Sequence, residues 1–303
     1  MNDEAAALLD GWASHIDRIL DVQWDLMEGG HRWMPTQDST MELVRDLLGR
    51  KLGPGGAWDG EEADRAGRLA TLMLAVSGQH LEGIRALLRA RQVVFPVAPL
   101  ARAIVENAGR TFWLIDPRLG DARDLAARVW MYRVDDVTRQ VRTAKGWQKD
   151  NQKRIEALVK LKKSIRNEEI PRRFYPSEID NEHGRITLRG QHVPGLGGAL
   201  KYIAAGMQIA DVHTPMYSFL SDATHPTIYA VMETLISVGS SGGEDLHQFG
   251  SSDMRREFMI LQSAVQAYQQ AWFITTSYFG LDVEPVIAVC DEVNSLPRPD
   301  GNG

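Results

Sequence analysis

Residues 98–117 read APLARAIVENAGRTFWLIDP. Ala98, Leu100, Ala101, Ile104, Val105, Ala108, Phe112, Trp113 and Leu114 make the stretch apolar nearly all round. Pro99 suits a first helical turn and Asp116-Pro117 stops the chain, which predicts a helix from Pro99 to Ile115. A helix apolar on every side is a buried one. Charges on such a helix have to be paired, because an isolated buried ion is too costly. Arg102, Glu106 and Arg110 recur every fourth residue and share one face. They read either as a structural ion-pair ladder or, with Asn107 beside them, as an Arg-lined pocket for an anion or phosphate.

On both sides of this stretch the pattern stays helical. Leu8, Leu9, Trp12, Ile16, Ile19, Leu20, Trp24 and Met27 repeat at helical spacing until Gly29-Gly30. Ser39 is placed to cap a second helix, through about Leu48. A third runs from Glu61 to about Val93, its acidic start and basic end matched to the helix dipole. Pro215 opens one helix, through about Ala223, and Pro226 opens the next, through about Val238. Met254 to Tyr278 is a long helix closed by Gly280, and Val283 to Asn294 is the last. The fold expected is all-α, a multi-helix bundle. It divides into an N-terminal helical segment (1–60), a main bundle (61–295) and a disordered tail (296–303).

Two segments depart from this pattern. From Asp121 to about Glu169 there is no proline. A continuous helix there would be ~73 Å long at 1.5 Å per residue. Its middle, RTAKGWQKDNQKR, has almost no apolar stripe, so the long helix either projects from the body or breaks near Gly146. Residues 170–196 carry Pro171, Pro176, Gly184, Gly190 and Pro194. They read as an irregular insertion, with a short hairpin suggested by the alternation over 185–189.

Composition narrows the setting. The chain has 303 residues, one cysteine and a net charge of -6. The single Cys290 excludes an internal disulfide framework and fits a reducing, cytoplasmic compartment. No run of 18 apolar residues occurs, so no membrane partner is expected. The net charge argues against DNA binding by the whole surface. The charge is uneven, however: Arg139 to Arg166 holds ten Lys or Arg and only two acids, Asp150 and Glu156. That segment reads as a solvated helix face or as a contact for RNA or an acidic partner, with Trp147 able to stack on a base. The apolar stripe at Ile155, Leu158, Leu161 and Ile165 points to a homodimer.

The second chemistry-bearing stretch is MYSFLSDATHPTIYAVM, residues 216–232. Pro226 puts His225 at or beside a helix N-terminus, where the dipole disfavours imidazolium and favours an anion. Ser221 lies one turn earlier. His225 is therefore either a neutral base near pH 7 or a capping histidine at a helix junction. Tyr217, Ser221 and Thr227 complete a polar pocket with Arg102, Glu106, Asn107 and Arg110. No cofactor or metal is expected. Gly195-Leu196-Gly197-Gly198 lacks the lysine of a phosphate-binding loop. His183, His192, His213 and His247 show no metal spacing. The Glu244 and His247 pair falls in a Gly/Ser-rich loop with no second copy.

Residues 98–117 and 216–232 together resemble an uncharacterised, mostly actinobacterial helical family with Arg-x-x-x-Glu and Tyr-x-x-x-Ser-x-x-x-His helices. The resemblance spans roughly residues 65–280 and implies no particular activity. More loosely, the chain is similar to the HEPN superfamily of helical bundles, many of them metal-independent ribonucleases of toxin or defence systems. That similarity implies catalysis by His225, with Ser221 nearby and an Arg supplied by Arg102 or Arg110, because Phe219, Leu220 and Ser221 stand where the motif has its Arg. The functions expected are thus a binding or regulatory protein for a small anionic ligand or nucleotide, a HEPN-like ribonuclease, or a scaffold holding a partner through its basic segment.

Overall fold

The computed structural model describes residues 3–28, 33–50, 52–91, 97–116, 118, 120–146, 152–182, 185–206, 220–221, 235–241, 244–249 and 254–292. Over these the chain is an all-α multi-helix fold with small two-stranded ladders at its margins. Helix α1 is Asp3–Glu28, α2 Thr40–Gly49, α3 Glu61–Arg89 and α4 Val97–Ile115. The Ser39 hydroxyl caps α2 by accepting the Glu42 amide at 3.2 Å, a contribution of about 1 kcal/mol.

Helix α4 is the centre of the bundle. It packs against α3, against α8 (Leu196–Gly206) and against α9 (Met254–Phe279). Ile104, Val105, Trp113 and Leu114 are fully or almost fully buried on it. Each such side chain is worth about 1.5–3 kcal/mol of burial. Gly109 lets α8 lie directly on α4, since a Cβ there would run into the backbone of Ala199. Helix α10 (Glu284–Glu292) closes the bundle against α1 and α9.

The proline-free segment breaks at Gly146, the second of the two alternatives its sequence left open. Helix α5 is Ala122–Gly146 and α6 is Gln152–Ser164, and α6 packs back against α5. The polar stretch between them offers no face to bury, so nothing favours a straight rod over a return. Of the stripe at Ile155, Leu158, Leu161 and Ile165, Ile165 is buried, Ile155 and Leu158 are half-buried and Leu161 is exposed, at 39%. Helix α6 runs on through a π-helical turn, Ile165–Glu169, into the short α7, Ile170–Arg173.

The irregular insertion contains the expected hairpin. Strand β3 (Ile179–Glu182) pairs antiparallel with β4 (Arg185–Leu188), Asn181 opposite Ile186. A smaller ladder, β1 (Leu52–Gly53) with β2 (Gly56–Ala57), precedes α3. The third ladder corrects the sequence reading. Strands β5 (Leu235–Ser241) and β6 (Glu244–Phe249) stand where a helix to Val238 and a Gly/Ser loop were expected. The β-branched residues Ile236 and Val238 and the intervening Gly242-Gly243 favour a strand pair over a helix end. Glu244 and His247 therefore lie in a strand.

Among the described residues no helix is long and apolar enough to cross a membrane. The tail, 296–303, lies outside the described residues.

Candidate anion-binding cleft

The ladder on α4 forms as its spacing dictates. Arg102 Nε donates to Glu106 Oε1 at 3.0 Å, and Arg110 donates to Glu106 Oε2 at 3.0 Å. Arg110 Nε also donates to the Pro194 carbonyl at 3.4 Å, tying α4 to the loop before α8. Asn107 is half-buried, and its backbone carbonyl accepts the Thr111 hydroxyl. One carboxylate thus serves two guanidinium groups. Of the other residues assigned to this pocket, Ser221 lies in a described helical pair and is half-buried, beside a fully buried Leu220. Tyr217, His225 and Thr227 lie outside the described residues, as does Trp147.

The described residues bring together a second cationic region. Helices α5 and α6 and the β3–β4 hairpin enclose two adjoining hollows. The first, about 490 Å³, is lined by Val141 and Lys145 of α5, Val159, Lys162 and Lys163 of α6, and Ile179 and Asn181 of β3. The second, about 680 Å³, takes Thr138 and Arg142 of α5, Arg185 and Thr187 of β4, and His192. Lys162, Arg166 and Ile186 line both. The π-helical turn begins one residue before Arg166. Such turns are rare and concentrate at functional sites.

Five of the lining cations, Arg142, Lys145, Lys162, Lys163 and Arg185, have no acidic partner among the described residues. Arg166 donates to Asn181 Oδ1, a neutral acceptor, at 3.2 Å. The acid lining the second hollow, Asp135, is engaged by Arg139 at 2.7 Å. Burial, then the charges of Arg166 and Lys145, hold the Lys162 ammonium below its usual range. A group whose charged form is disfavoured by like neighbours gains most from an arriving anion.

The other half of α5 is built in the opposite way. Arg189 reaches Asp124 and Glu178 at 2.6 Å each and Asp121 at 3.0 Å. Arg123 pairs with the same Glu178. Arg128, almost fully buried, donates to Gln191 and to the Trp113 carbonyl, with its guanidinium over the Trp113 and Tyr202 rings. These groups fasten the hairpin to α5 and α4.

The basic run was visible in sequence, and five of its members, Arg142, Lys145, Lys162, Lys163 and Arg166, meet in the cleft. Arg185 and His192 were not assigned to it, since only the hairpin brings them there. Among the described residues no group of His, Cys, Asp or Glu is arranged to hold a metal ion. Burial raises the Cys290 thiol to about 11, which leaves it a poor nucleophile. Comparison with protein-family models, with curated proteins and with solved structures finds no match to this chain.

Proposed function

We propose that this protein binds an anionic, phosphate-bearing ligand in the cleft between α5, α6 and β4. The observation that carries the reading is that Arg142, Lys145, Lys162, Lys163 and Arg185 converge there with no carboxylate partner among the described residues, in a molecule whose other arginines are mostly engaged by Asp or Glu. Unpaired like charges held together destabilise a fold, and a bound anion removes that cost. The hollows have the size of small-molecule sites and supply apolar walls between charged groups. The α4 ladder, with one carboxylate already in place, is the weaker anion site of the two. A reducing, cytosolic setting belongs to this reading, on the strength of the lone Cys290.

Titration calorimetry with inorganic pyrophosphate at low salt tests it. Wild-type protein is expected to bind, and Lys162→Ala to weaken binding about tenfold, or about 1.4 kcal/mol. Binding that is absent in the wild type, or indifferent to Lys162→Ala, overturns the proposal.

A further inference from the structure

The two hollows divide their cations in a way that says more about the occupant. Lys145 and Lys163 belong to the first alone, and Arg142 and Arg185 to the second alone. Lys162 and Arg166 stand on the saddle between them, over Ile186. Along α5 the first hollow is centred near residue 143 and the second near residue 136. Their centres are therefore about 10 Å apart at 1.5 Å per residue. A single anion fills one hollow and leaves the private cations of the other unanswered.

Resting on the proposed function above, we infer that the occupant is a chain of linked phosphate groups, one group held in each hollow and the linkage crossing Lys162, Arg166 and Ile186. Three observations favour phosphate over the carboxylates of an acidic protein segment. Each hollow converges two private and two shared cations on a small volume, which suits a compact, multiply oxygenated anion better than a singly charged carboxylate. Arg142, Arg166 and Arg185 can each engage phosphate oxygens in a bidentate fashion. Thr187 lines the second hollow, and a hydroxyl of this kind donates to phosphate oxygens. No Phe, Tyr or Trp is among the described lining residues, and the one ring there, the His192 imidazole, belongs to the second hollow alone. Recognition is thus carried chiefly by the phosphate backbone. The chain has two sources with this chemistry, single-stranded RNA and inorganic polyphosphate.

Fluorescence polarisation with labelled oligouridylate and oligoadenylate tests the inference on the full chain. Equal affinity for the two oligonucleotides and complete displacement by inorganic polyphosphate are expected, with the tighter of the two ligands naming the source. Lys145→Ala/Lys163→Ala and Arg142→Ala/Arg185→Ala, one pair in each hollow, should each weaken the chain about tenfold. Each pair should also flatten the dependence of log affinity on log salt by about 1.4, at roughly 0.7 per phosphate contact. A chain that binds no tighter than pyrophosphate overturns the inference and leaves the proposed function standing. Failure of polyphosphate to displace the oligonucleotides, or displacement by polyglutamate of equal charge just as well, overturns it too. If pyrophosphate itself does not bind, both fall together.

Discussion

Arg185 and Arg189 lie four residues apart, at opposite ends of strand β4, and both face α5. Arg189 meets three carboxylates, whereas Arg185 meets none among the described residues. The same contrast runs along α5, from the acid-lined Asp121 and Asp124 to the cationic Arg142 and Lys145. One end of the interface is neutralised internally and behaves as a clasp. The other is left charged, with desolvation adding to the repulsion. A fold selected for stability alone gains by placing acids at both ends, and this imbalance is the ground on which we propose an external anion at the cationic end.

The largest test of this contrast removes the shared acid of the clasp. Glu178→Ala strips Arg123 and Arg189 of a common partner in a half-buried setting. Urea unfolding is expected to show a loss of about 3 kcal/mol, against a change within about 0.5 kcal/mol for Arg185→Ala. Equal losses would erase the distinction between the two ends.

A smaller effect sharpens it from the other side. Lys162→Met keeps the aliphatic stem and deletes the crowded charge. At low salt the variant should be more stable than wild type by a few tenths of a kcal/mol, the scale of like-charge pairs. That gain should shrink near 0.5 M salt, where screening shortens to a few ångströms. A destabilised variant would mean that Lys162 has a stabilising partner and that the cleft is balanced after all.

The smallest effect carries the comparison into the interior, where an ionisable base is kept neutral. His15 is fully buried beside Gln269, with Glu292 and Arg18 nearby. Burial, then Arg18, lowers its pKa from 6.5, against the opposing pull of Glu292. As pH falls below about 6.5 the unfolded chain takes up a proton that the folded chain refuses. Stability therefore declines with falling pH and levels off below the folded-state value, by at most about 1.4 kcal/mol per pH unit. His15→Gln should flatten the fall of the urea midpoint between pH 7.5 and 5.5, and an unchanged profile would show that other groups cause it.

Much of the helical scaffold was legible because its signals are local. Ser39 before α2, the glycine after α9 and the apolar wrap of α4 each act within a few residues. The Arg102, Glu106 and Arg110 ladder was legible for the same reason. Strands β5 and β6 were not, because residues 235–249 mix β-branched, small and acidic residues in a pattern that fits a helix end and loop equally well. The cleft was half legible. The cation run showed in sequence, but whether each charge is answered depends on Asp121, Asp124 and Glu178, which only the folded hairpin brings to Arg189 and withholds from Arg185.

The close seat of Ala199 on Gly109 gives the loop before α8 a fixed fulcrum. His192 and Val193 line the second hollow, and the next residue, Pro194, offers its carbonyl to Arg110. Only Val193 separates His192 from Pro194, so the second hollow and the Arg110–Glu106 pair of α4 hang on one short tether, anchored where α8 meets α4.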